Sequence, residues 1–137
     1  MRSLFLAAAI SCLSLPAAAT DESEPPTGAA GGKIIFRQTC ASCHGKDALG
    51  AGPVAKSLKT PPADLTRIAA RRGGFSADAV AAFVDGRENV AAHGPREMPV
   101  WGESLAQAVS DKDVREARIA RAIQMVVQYV ETIQIQK

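Results

Sequence analysis

The run Cys40-Ala41-Ser42-Cys43-His44 constrains this chain more than any other. Two thiols three positions apart lie about one helical turn from each other, so both can face one edge of a planar ring. The imidazole that follows can then sit beneath the ring's centre. This C-x-x-C-H order reads as covalent haem attachment: the thiols add across the two vinyl groups and His44 ligates the iron. Other uses of a C-x-x-C pair fit less well. A structural zinc needs four ligands, and beyond the motif the chain offers only His93 and no second C-x-x-C. A thioredoxin-like redox pair needs a βαβ context, and no such alternation of strand and helix patterns is present.

The N-terminal pattern says where this chemistry takes place. Met1-Arg2-Ser3 is a short basic start, residues 4–15 are an apolar run broken by Ser11, Cys12 and Ser14, and Pro16-Ala17-Ala18-Ala19 supplies small residues. The pattern predicts a secretory signal peptide over residues 1–19, cut after Ala19. The run is short of the ~20 residues of a membrane span, so an uncleaved anchor is the weaker alternative. Ala9-Ile10-Ser11-Cys12 also resembles a lipoprotein cut site, which would make Cys12 a lipidated terminus. With the leader removed, both remaining cysteines belong to the haem motif. No spare thiol is left for an oxidising compartment to act on, which suits export to a bacterial periplasm.

Residues 20–30 read as a flexible tether, with Asp21, Glu22, Ser23, Glu24, Pro25 and Pro26 in succession. Residues 31–137 are expected to form one domain. Basic and acidic side chains nearly cancel at 16 against 14, so whole-molecule charge does not point to nucleic acid as a partner. Aromatic residues make up only 4% of the chain, thin for a core of this size. A buried haem would supply the missing apolar bulk and contribute to folding.

The patterning predicts an all-α domain. A short helix over 32–39 runs into the haem motif, Gly50-Ala51-Gly52-Pro53 forms a turn, and Thr60-Pro61-Pro62 breaks the chain before a helix that stops at Gly73-Gly74. Ser76 caps a helix over 77–85 that Gly86 ends. A Gly- and Pro-rich loop over 87–102 leads to a long helix capped by Ser110 and reaching about residue 134. Its expected apolar stripe is Val114, Ile119, Ile123, Val126 or Val127, Val130 and Ile133.

His44 fills one axial position of the iron, and three residues compete for the other. Met125 falls inside the long helical pattern, where core packing is its natural role. Met98 precedes Pro99 and is therefore pushed away from helical angles, so it sits in extended chain able to lay a thioether across the haem. Met98 is the expected ligand and His93 the alternative. A soft sulfur ligand favours reduced iron, as an electron carrier needs.

With these residues in place, the chain resembles the class I c-type cytochromes, small bacterial periplasmic carriers of the cytochrome c fold, from about residue 28 onward. Gly32 and Phe36, eight and four residues before Cys40, match the family's N-terminal helix contacts. Val126 and Tyr129 match the C-terminal helix positions that cross that helix. Met98-Pro99-Val100-Trp101-Gly102 is similar to the family's M-P-x-[WF]-G distal loop. Gly52-Pro53 looks like the turn whose proline carbonyl accepts the N–H of the proximal imidazole. Trp101 would either bond a haem propionate or pack beside the ring. The stretch from Lys59 to Arg87, with its Pro61-Pro62-Ala63-Asp64 run, departs from the mitochondrial carrier.

The resemblance implies one haem c held by Cys40, Cys43, His44 and Met98, with Pro53 and Trp101 in support, and a single-electron carrier without catalytic residues. The alternatives are a bound electron-entry subunit of a dehydrogenase or terminal oxidase and, more distantly, a haem peroxidase or gas sensor. The partners expected are a redox-protein donor and acceptor, with the chain itself a monomer. Lys46, Lys56, Lys59, Arg67, Arg71 and Arg72 outnumber Asp47 and Asp64 along one stretch. That excess is either an ordinary solvated surface, a propionate partner, or a basic face that steers an acidic partner.

Overall fold

A computed structural model describes residues 26–87 and 98–135. The segment 1–19 expected to be a signal peptide, Cys12 and His93 lie outside the described residues. Among the described residues the regular structure is helical, with no strand. The order is α1 (Gly28–Thr39), α2 (Ala41–His44), two single 3₁₀ turns (Ala55–Ser57 and Leu65–Arg67), α3 (Ile68–Arg72), α4 (Ala77–Asp85), α5 (Trp101–Ser104) and α6 (Lys112–Thr132). This is the all-α arrangement that the patterning predicts. No helix among the described residues is long and apolar enough to cross a membrane.

Helix α1 forms against its own propensity. Gly28, Gly31 and Gly32 all lie in it, and an interior glycine costs up to about 1 kcal/mol relative to alanine. Packing against α6 offsets that cost. Gly31 and Gly32 are buried, and a Cβ at Gly32 would overlap the carbonyl oxygen of Met125 while standing 3.0 Å from the Tyr129 Cβ. The same contact draws residues 28–30 into the helix, although composition assigns them to the tether. One turn further on, Phe36 is fully buried and its ring meets that of Tyr129 at 5.3 Å between centroids, tilted by 54°.

Helix α6 serves two clusters from adjacent faces. Val126, Tyr129 and Val130 join Phe36, Cys40, Ala41 and Ala48. Ile119, Ile123 and Val127 join Val84 of α4, with Met98, Trp101 and Leu105 packed alongside. Two expectations for α6 need correction. Asp111, not Ser110, caps it, its Oδ1 accepting from the Val114 N–H at 2.9 Å. Val114 itself is 46% exposed, because the first turn of α6 precedes the part that meets α4. Helix α4 runs as its sequence indicates, from the Ser76 cap to Gly86 in left-handed conformation. The last turn of the expected 87–102 loop is instead α5, opened by Trp101.

The C-terminal end ties down the chain around Leu65. Gln134 Nε2 donates to the Leu65 carbonyl at 2.7 Å, and Gln134 Oε1 accepts from the Ala69 N–H at 2.9 Å. The Ile135 N–H donates to the Thr66 carbonyl at 2.8 Å.

Gly32→Val places a branched Cβ where the Met125 carbonyl lies. It is expected to lower stability by about 1–3 kcal/mol, read from the urea midpoint, whereas Lys33→Val on the exposed side should shift it little.

Candidate functional site

The C-x-x-C-H motif leaves α1 through Cys40, whose carbonyl accepts from the N–H groups of Cys43 and His44 at 3.2 and 3.0 Å. The resulting single turn, α2, ends at Gly45 with φ +81°. A helix this short leaves nearly all its carbonyls without intrahelical partners. The turn that follows satisfies them. Gly50, Gly52 and Val54 donate their N–H groups to the carbonyls of His44, Cys43 and Ser42 at 2.8, 2.9 and 3.0 Å. A Cβ at Gly52 would run into the carbonyl oxygens of Ala41, Ser42 and Cys43, so only glycine lets the strand of backbone lie this close.

That arrangement corrects the role expected for Pro53. The 50–54 turn faces α2 with its donors, and Pro53 is exposed and outside the cavity lining. The acceptor for the imidazole is the carbonyl of Ala63, 2.9 Å from His44 Nδ1. A carbonyl can only accept, so Nδ1 carries the proton and Nε2 keeps its lone pair. This is the tautomer a metal-ligating histidine needs when its second nitrogen is anchored.

The Ala63 carbonyl is held from several sides. The neighbouring Leu65 N–H donates to the Ala48 carbonyl at 2.8 Å, and Gly50 leaves no room for a Cβ beside the Pro62 carbonyl. Asp64 Oδ1 accepts from both the Thr66 N–H at 2.9 Å and the Thr66 hydroxyl at 2.6 Å. Arg71 Nη2 donates to the Asp64 carbonyl at 2.7 Å. The Thr66 hydroxyl is the main influence holding the Asp64 carboxyl below its ordinary value, helped by the Thr66 N–H and the Arg67 and Arg71 charges. Sequence reasoning missed this loop. The available signal was Pro61-Pro62 leading into an Asp cap.

Cys40, Cys43, His44, Met98 and Trp101 all line one cavity of about 590 Å³, within the ~300–1,000 Å³ range of ligand and cofactor pockets. Apolar side chains from both core clusters complete it, among them Phe36, Leu65, Val84, Val126 and Val130. Met125 is not among its lining residues. The Met125 sulfur lies instead 2.9 Å from where a Gly31 Cβ would stand. Of the basic stretch, Arg71 and Arg72 line the cavity, while Lys46, Lys56, Lys59 and Arg67 are exposed and are not among its lining residues. Burial is the main influence raising the Cys40 thiol above its ordinary range, partly offset by the Thr39 hydroxyl at 3.3 Å. The donor set fits a haem: two thiols, an imidazole presenting Nε2, a thioether and an apolar surround. The haem would be held through Cys40, Cys43, His44 and Met98.

Asp64→Ala removes the cap that seats the Ala63 carbonyl and is expected to cost about 1 kcal/mol at neutral pH. Because the folded value of Asp64 is depressed, its stabilisation is present above the ordinary carboxylate range and lost as pH falls through the folded value. Urea midpoints of variant and wild type should therefore converge in strong acid.

The family model described as cytochrome c oxidase, cbb3-type, subunit III matches residues 27–118. The match takes in all six candidate site residues and ends inside α6. No curated protein and no solved structure gives a match. The chain thus belongs to the cbb3-type cytochrome c oxidase subunit III family of class I c-type cytochromes, electron-transfer domains built around covalently bound haem c.

Proposed function

We propose that this chain is an exported, monohaem electron carrier of the bacterial periplasm, in which His44 and Met98 would hold the haem iron. The observation that carries the reading is that one cavity is lined by both thiols of the motif, His44 and Met98 together. The haem, when bound, supplies the redox chemistry, its iron alternating between ferrous and ferric.

The chain's own residues hold and tune. Cys40 and Cys43 tether the ring at the end of α1. The Ala63 carbonyl orients the His44 ring and fixes its tautomer. Met98 contributes a thioether that favours the reduced state. The apolar surround excludes water, and Trp101 packs in the distal cluster. With two protein ligands in place, the site is suited to electron transfer rather than to binding a substrate at the metal. Donor and acceptor are other redox proteins.

A second reading is favoured by the family's name, that of an oxidase subunit: the same domain could work while bound to a larger redox complex. Gel filtration of native extract separates the two, since a free carrier elutes at the size of the chain alone.

Four variants test the site. Cys40→Ala or Cys43→Ala should give poorly matured protein, whereas mature wild type should retain its haem through acid–acetone extraction. Met98→Ala should abolish the weak long-wavelength sulfur-to-iron band of the oxidised protein and lower its potential, and His93→Ala should do neither. A band that survives the loss of Met98 would remove that residue from the ligand set.

A further inference from the structure

The backbone that carries Met98 is seated on an ion-paired plate. Helix α4 ends at Asp85, and Gly86 reverses the chain with φ +69°. Arg87 then folds back on the helix it has left. Its N–H and Nε donate to Asp85 Oδ1 at 3.2 and 2.7 Å, and its Nη2 donates to Asp85 Oδ2 at 2.8 Å. Nη1 of the same guanidinium donates to Glu116 Oε2 of α6 at 2.6 Å. One planar group thus joins the end of α4 to α6, with a two-pronged bond to Asp85.

The second residue of α5, Gly102, lies directly against this plate. It is buried, and a Cβ built on it would overlap Asp85 Oδ1 and Arg87 Nε and stand 2.8 Å from Asp85 Cγ. The glycine of the Met98-Pro99-Val100-Trp101-Gly102 run therefore has a local cause, which is contact with the Arg87–Asp85 pair. On its other side the segment packs through Met98, Trp101 and Leu105 on Val84, Ile119, Ile123 and Val127. The charged plate supplies a stop.

We propose that Arg87, fixed by Asp85 and Glu116, is a positioning residue for Met98: it sets where α5 begins and so keeps the thioether presented to the cavity. The inference rests on Met98 being the axial ligand. The three side chains are 36%, 27% and 41% exposed, and isolated pairs at that exposure contribute little to stability. The effect of the plate is accordingly on the placement of one segment, not on whether the chain folds.

The test uses the natively matured protein, oxidised, with added imidazole competing for the sixth position. Its apparent affinity reads the fraction of molecules in which Met98 has left the iron. Arg87→Gln should raise imidazole affinity about fivefold, the scale of one surface ion-pair network. The Soret band and the urea midpoint should stay nearly unchanged. Glu116→Gln, which keeps an oxygen acceptor, should shift affinity in the same direction by less, and covers the case in which Arg87→Gln fails to fold. Met98→Ala serves as the reference with the ligand removed. If Met98→Ala loses the sulfur-to-iron band while both plate variants bind imidazole as wild type does, the positioning role is wrong and the ligand assignment stands. A rise in affinity matched by an equal loss of global stability would also overturn the role. A band that persists in Met98→Ala would remove the ligand assignment, and this inference with it.

Discussion

Where α1 meets α6, at Gly32 and the Met125 carbonyl, no side chain can fit between the helices. That close approach does more than stabilise a helix pair. It fixes the direction in which α1 delivers Cys40, and it places Phe36 against Tyr129 at the inner end of the cavity. Gly31 and Gly32, which weaken α1 as a helix on its own, are what let it lie this near to α6. Local propensity is given up so that tertiary contact can set the geometry of the attachment motif.

The two sides of the cavity are built by different physics. On the His44 side, backbone hydrogen bonds predominate. The 50–54 turn satisfies the carbonyls of α2, and the Ala63 carbonyl selects the imidazole tautomer. Gln134 and Ile135 then tie that loop to the end of α6. On the Met98 side, apolar packing on α4 and α6 predominates, with the Arg87 plate at its edge. A rigid proximal side and a packed distal side suit a centre that must change charge with little rearrangement.

What the sequence discloses depends on how local the cause is. The C-x-x-C-H run is legible because its chemistry needs only adjacent residues. The α4 boundaries are legible because Ser76 and Gly86 act within one turn. The Met98-Pro99-Val100-Trp101-Gly102 run is legible as a local motif, and Met98 and Trp101 both line the cavity. The acceptor for His44 was sought at Pro53 and lies at Ala63, nineteen residues from the imidazole. Both turns follow the motif, and only the folded path shows that the 50–54 turn faces α2 with donors while the Ala63 segment presents an acceptor. Residues 28–30 likewise look like tether until α6 is present, and Val114 looks like core until the starting point of α6 is known. The role of Gly102 is invisible in sequence, since its neighbours Asp85 and Arg87 are fifteen or more positions away.

The central claim is that the cavity beside Cys40, Cys43 and His44 holds one haem whose iron exchanges single electrons. An optical redox titration of the natively matured protein, with haem quantified on the same sample as its pyridine complex, tests this most directly. The account predicts one haem c per chain and a single reversible wave that fits a one-electron couple. A chain that matures without haem, or one whose titration is irreversible or needs two electrons, would contradict it.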